Sequence, residues 1–198
     1  INTDSSLTLN ANLAHSVGGT LTISAPTSGT TELEVATSKM EVAGALTNSG
    51  RLDLAATAST SQGIKCVGLT STGTMVGGTG TFECNGNWSN TGSFTVGSST
   101  VKIGGTNPTI RADAASSDFY NLTISAAASM NGAAANGLDI DNALVIESGK
   151  SLTLDEALTH DVAGATTITG TLTLQDATLT ANDNVTVSAT TGTLAMNN

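Results

Sequence analysis

Aromatic residues are nearly missing from this chain: one Trp, one Tyr and three Phe, 3% of 198 residues. A wide globular core filled by large rings is therefore excluded. Charge is sparse as well, at 11%, with six basic residues against sixteen acidic ones and a formal net charge of −10. Phosphate neutralisation needs clustered Lys and Arg, so this balance argues against nucleic-acid binding. No apolar run approaches the roughly 20 residues that span a bilayer. No window has the make-up of a signal peptide, and a chain opening at Ile1 reads as a processed form or a segment.

Hydrophobic residues nevertheless reach 38%, too many for a disordered linker. Gly, Ala, Ser and Thr fill about half of the chain, far above ordinary usage. Such a chain buries apolar side chains only in a narrow core repeated many times, as a solenoid. Low Lys, an acidic balance and abundant Thr, Ser and Asn are the composition of secreted surface proteins.

The repeat is visible as a turn residue, often Gly, followed by an alternating apolar pair. It reads GTLTI from Gly19, GRLDL from Gly50, GTFEC from Gly80, GSFTV from Gly92, GTLTL from Gly170 and GTLAM from Gly192. Looser copies are NLTI from Asn121, GLDI from Gly137 and KSLTL from Lys150. Period-two alternation makes each copy a strand with one apolar face, and the preceding Gly supplies the turn. No window keeps helical spacing over 10 residues; Ala126 to Ala135 comes closest and is interrupted at Asn131 and Gly132.

Spacing separates coils from hairpins. Two-residue hairpin signals are few, at Asn85-Gly86, Asn131-Gly132 and Asn136-Gly137. Copies instead recur about 20 residues apart, as when Leu152 and Leu154 are followed by Leu172 and Leu174 and then by Leu194 and Met196. Ile64-Lys65-Cys66 aligns with Phe82-Glu83-Cys84 and with Val101-Lys102-Ile103; Leu69 then matches Trp88, Gly73 matches Gly92 and Met75 matches Phe94. The expectation is an all-β fold, one right-handed parallel β-helix over residues 1–198. It has about seven to nine coils of about 20 residues and is a rod roughly 35 to 45 Å long. The irregular segments 25–31, 55–63 and 106–117 are the expected excursions from this shaft.

These turn-Gly-x-Leu-x-Leu strands, with DFYNLTIS from Asp118 to Ser125 and GNWSNTGSFTVG from Gly86 to Gly97, resemble the β-strand repeats of large bacterial surface proteins. The broader resemblance is to filamentous-haemagglutinin-like adhesins and autotransporter passenger domains, and it covers nearly the whole chain. It implies secretion, a right-handed β-helix shaft, and a role in adhesion, matrix or fibre building. The chain departs from that pattern in showing no N-terminal secretion cap and no C-terminal outer-membrane barrel.

Catalysis on such a scaffold needs clustered carboxylates and basic residues on one face. Here Lys39, Arg51, Lys65, Lys102, Arg111 and Lys150 are scattered, and the sequence shows no carboxylates gathered on neighbouring coils, so a polysaccharide-degrading enzyme is not expected. His160-Asp161 lacks a nucleophile, and His15 and His160 read as solvent-facing or turn residues. Asp139-Ile140-Asp141-Asn142 and Asn182-Asp183-Asn184 offer oxygen ligands for Ca²⁺ without the spacing of a known calcium loop; tight corners account for them better, and no cofactor is expected. Sequons at Asn87, Asn121 and Asn184 place those residues at the surface. Outward Thr in T-x-T strands raises ice or carbohydrate binding as an alternative, although strand propensity explains the Thr equally well and Arg51, Asp53, Lys65 and Glu83 interrupt the rows.

Three structural expectations follow. Cys66 and Cys84 stack on adjacent coils, with Cα atoms about 4.8 Å apart, and form either a disulfide or a ladder of buried thiols. Lys65, Glu83 and Lys102 form an outward column of alternating charge with the carboxylate between two ammonium groups. Terminal coils carrying unpaired strand edges are expected to be continued by another chain or by more of the same polypeptide, making the chain a homo-oligomer or fibre component, extracellular or on the bacterial surface.

Overall fold

The computed structural model describes residues 1–9, 13–54, 63–113, 118–130, 136–154 and 157–196. The chain winds as a β-solenoid of about 8 turns with about 22 residues per turn. Pairing between turns is parallel, so strands equivalent in the repeat stack and do not alternate as hairpins. Among the described residues there is no helix, and so none long and apolar enough to cross a membrane.

Three sheets wall the solenoid. Sheet A runs through Ser6–Leu9, Glu32–Val35, Arg51–Asp53, Thr74–Val76 and Ser93–Thr95. Sheet B begins with Ala14–Val17, Lys39–Val42, Gly63–Cys66, Thr81–Cys84, Thr100–Ile103, Phe119–Ile124 and Asp139–Ile146. Asp139–Ile146 is long enough to pair twice, its first residues with Thr159–Val162 and its last with Thr166–Ile168. Sheet C stacks nine strands, from Leu21–Ile23 to Thr193–Met196. The last two turns keep three sides: Thr159–Val162, Thr166–Ile168 and Thr171–Leu174, then Thr178–Ala181, Val185–Val187 and Thr193–Met196.

Alternation dictates the core. Ile103, Ile124, Ile146 and Ile168 are successive register partners facing inward, as are Leu152 and Leu172. One turn is plugged by rings from all three walls: Phe82, Trp88 and Phe94, with Phe119 above. Their centroids lie 5.6 to 6.0 Å apart, within the range where edge-to-face and tilted ring pairs are favourable. At the end of sheet C the inward column turns polar: Asn48 and Ser71 are buried register partners, and Asn48 Nδ2 donates to Ser71 Oγ at 3.1 Å and to Thr74 O at 3.0 Å. A hydroxyl and a corner carbonyl thus satisfy the Asn48 amide nitrogen, while its Oδ1 is buried without a hydrogen-bond partner.

Glycines permit the closest backbone approaches at the turns. A Cβ on Gly92 would lie 2.0 Å from Gly73 O, and one on Gly73 would lie 2.2 Å from Gly50 O. Of the expected excursions, residues 25–31 do lie between strands, whereas Gly63 opens the strand Gly63–Cys66 and Thr109–Ala112 is a strand of sheet C inside the segment expected to be irregular. Residues 55–62 and 114–117 lie outside the described residues. Inward Ile110 and buried Ala112 explain the correction at Thr109–Ala112, because the alternation persists there without a leading Gly.

Candidate functional site

Sheet B carries a concavity with charged residues in its lining. A groove of about 450 Å³ lies on its outer face, lined by Ser16, Lys39, Glu41, Lys65, Thr81 and Glu83 among others. Alternation puts Met40 and Ile64 into the core and their neighbours Lys39, Glu41 and Lys65 outward. Register then aligns the outward residues: Glu41 with Lys65, Lys65 with Glu83, and Glu83 with Lys102. Lys65 Nζ lies 3.4 Å from Glu83 Oε1. The expected sandwich of Glu83 between two lysines does not form, because Lys102 reaches along the solenoid to Glu147 Oε1 at 3.0 Å. Lys102 also holds the Glu147 carboxyl below its ordinary range through that hydrogen bond. These partners are all more than a third exposed, so each pair contributes under about 1 kcal/mol.

Cys66 and Cys84 are register partners on neighbouring turns, both buried and both free thiols. The disulfide alternative is thus not realised. In-register residues on parallel strands point their Cα–Cβ bonds the same way, leaving the Cβ atoms about as far apart as the strands, near 4.8 Å. A disulfide needs them at about 3.5–4.5 Å. The Cys84 thiol instead lies 3.4 Å from Gly86 O and 3.3 Å from Asn87 O. Hydrogen bonding with Cys84, together with burial, pushes the Cys66 thiol well above its ordinary range.

Both histidines correct the expectation of solvent exposure. His160 is 1% exposed, on the same inward parity as Val162, and its Nδ1 accepts a hydrogen bond from Leu138 N at 2.9 Å. His15 shares the inward parity of Val17 and is half-buried, in register with Met40. Burial lowers the His160 pKa from its ordinary value near 6.5. The unfolded chain therefore binds a proton that the fold refuses. Stability from the neutral imidazole is complete above about pH 6.5 and falls as pH drops below it, with a limiting slope of about 1.4 kcal/mol per unit. His160→Asn, which keeps an acceptor but does not titrate, is expected to flatten the melting temperature between pH 7 and 5. An unchanged slope in that variant removes His160 as the cause.

Acidic side chains cluster more than the sequence indicates. Asp139 and Asp161 are register partners, and Asp118 Oδ2 accepts from Asp139 N at 3.2 Å. Burial, then Asp141 and Asp161, raises the Asp139 pKa. Asp139 and Asp141 thus lie on a strand and not at a tight corner, whereas Asp183 and Asn184 do occupy the turn before Val185–Val187. Among the described residues, no three His, Cys, Asp or Glu side chains converge to hold a metal ion. Asn87 and Asn184 are exposed, but Asn121 is half-buried, accepting from Asn142 Nδ2 at 2.7 Å. Its register position beside Ala143, one residue from Asn142, explains this.

Outward hydroxyls form ladders on sheet C, from Thr22 through Thr47 and Thr70 to Ser89, where Arg111 takes the next rung. A second ladder runs through Thr109, Ser129, Thr153 and Thr173 to Ala195.

No family model matches this chain, and neither a curated protein nor a solved structure matches it.

Proposed function

We propose that this chain is a structural shaft of an extracellular surface fibre, matrix or adhesin, continued end to end by β-strand stacking. The observation that carries the reading is the apolar surface of the two outermost turns. Leu7 and Leu13 are exposed at one end, and Val185, Val187, Leu194 and Met196 at the other, with Met196 reaching 75%. Val185, Val187 and Leu194 continue the inward columns of the preceding turn, so a further turn would bury them.

The two ends are compatible in order. Ser6–Leu9, Ala14–Val17 and Leu21–Ile23 form the three sides of the first turn, as Thr178–Ala181, Val185–Val187 and Thr193–Met196 form those of the last. Stacked in the register that runs through the sheets, Leu21 continues the column of Met196, and Val17 continues that of Val187. Backbone groups on both edges gain partners at the same time. This contact is heterologous and non-closing, the kind that generates filaments. The serine- and threonine-rich, acidic composition supports an extracellular setting.

Particle length measured by electron microscopy and sedimentation is expected to rise with concentration in steps of one unit, about 38 Å for eight turns. Paired Leu194→Asp and Met196→Asp replacements put carboxylates into the stacked core and are expected to weaken growth at least about ten-fold. Particles of one-unit length at every concentration would overturn the reading.

A further inference from the structure

The outward residues of sheet B carry a pattern that neither folding nor end stacking requires. In register order the central column reads Ser16, Glu41, Lys65, Glu83, Lys102, Thr123. Reversed, the column is its own complement: Ser16 meets Thr123, Glu41 meets Lys102, and Lys65 meets Glu83, each twice. We infer that this face pairs with the same face of a second copy, the two shafts lying side by side and antiparallel. The two-fold axis lies in the interface along the strands, between the rungs of Lys65 and Glu83. Such an interface is isologous, each contact occurring twice.

Charge placement makes this more than a coincidence of order. The chain has only four lysines, and three of them, Lys39, Lys65 and Lys102, lie on sheet B. The two arginines lie on other walls, Arg51 with Glu32 and Asp53 on sheet A and Arg111 with Asp113 at 2.6 Å beside sheet C, whereas Lys65 and Lys102 make their own ion pairs, with Glu83 and Glu147, on the outer face of sheet B. A molecule with net charge −10 repels its copies over most of its surface, so close approach is favoured where cations alternate with anions. The neighbouring outward column fits the same axis. Lys39, Gly63, Thr81 and Thr100 are consecutive rungs, so Lys39 meets Thr100 of the second copy and bare Gly63 meets Thr81. No like charges oppose one another in either column.

The footprint, six rungs long and one strand wide, is about 24 Å by 13 Å. That is below the area of a lasting complex, so the pairing is weak and salt-sensitive. It does not depend on end stacking: stacking lengthens a particle, whereas lateral pairing thickens it.

Small-angle X-ray scattering on the full chain, read as cross-sectional radius against protein concentration, separates the two. Unaltered protein is expected to thicken with concentration and to lose that thickening as salt rises. Lys65→Glu alone and Glu83→Lys alone each oppose like charges twice, and each is expected to weaken thickening at least about ten-fold. Mixing the two variants restores every opposite-charge contact, with the same summed charge as two unaltered copies, and is expected to restore thickening. The double swap K65E/E83K does the same within one chain. Unchanged melting temperatures verify folding of each variant. The inference is overturned if unaltered protein never thickens, if the single variants thicken like it, or if neither the mixture nor the double swap recovers what they lose. Particle length in the same samples reports end stacking separately.

Discussion

Trp88→Ala is expected to cost about 3–5 kcal/mol of folding stability, the range for emptying a large ring from a packed core. Trp88 is buried on sheet C, in register with Leu69 on one side and Ile110 on the other. Its ring also meets Phe82, Phe94 and Phe119 at 5.7 to 6.0 Å. A solenoid repairs such a loss poorly, because each turn is pinned by hydrogen bonds to the turns on either side. The cavity therefore stays open. Trp88→Phe is a sharper comparison: it keeps a ring in the plug and removes the indole Nε1, which is buried without a hydrogen-bond partner. Its loss is expected to be well under half that of Trp88→Ala, since deleting an unsatisfied donor offsets part of the lost packing. Chemical denaturation of the three proteins checks both expectations, and equal costs for the two variants would show that the plug is not packed as described.

Gly63→Ala is expected to be destabilising out of proportion to the single methyl it adds. Gly63 opens the strand Gly63–Cys66 with φ +147°, a conformation that L side chains rarely adopt. That strain costs about 1–3 kcal/mol by itself. A Cβ there would also stand 1.9 Å from the carbonyl oxygen of Thr81, its register partner on the next turn. The obstructing atom is backbone, so relief requires the two strands to part where they begin. Gly68→Ala is the control, because its Cβ would meet nothing closer than 3.6 Å. Melting temperatures are expected to fall steeply for the first and by little for the second; similar values would mean that the Gly63 contact relaxes cheaply.

The alternation and its spacing determined much of this structure before any coordinates. The pairings Leu69 with Trp88, Met75 with Phe94, Cys66 with Cys84, and Leu152 through Leu172 to Leu194 all occur in register. A strand has only two faces, so one apolar residue fixes the orientation of its neighbours, and stacked turns must keep like parity together. The same rule places His160 inside, two residues before inward Val162; residue type points to solvent there, and parity prevails because the Leu138 N–H supplies the polar partner.

What parity leaves open is the identity of neighbours on the outside. Lys102 chooses Glu147, 45 residues away, over Glu83 in register, because a long flexible side chain selects by reach and not by rung. Asp4 accepts from the backbone N–H groups of Thr27, Ser28 and Gly29 at 2.8 to 3.2 Å. Those bonds and the Thr27 and Ser28 hydroxyls hold its carboxyl well below the usual range, yet no repeat pattern joins these residues. The gathering of Asp118, Asp139 and Asp161 likewise depends on how far each turn travels before closing, and turn lengths vary along the chain. Inward contacts repeat because the narrow core admits one arrangement of side chains. Outward contacts and corners depend on the path of each individual turn, which only the tertiary structure fixes.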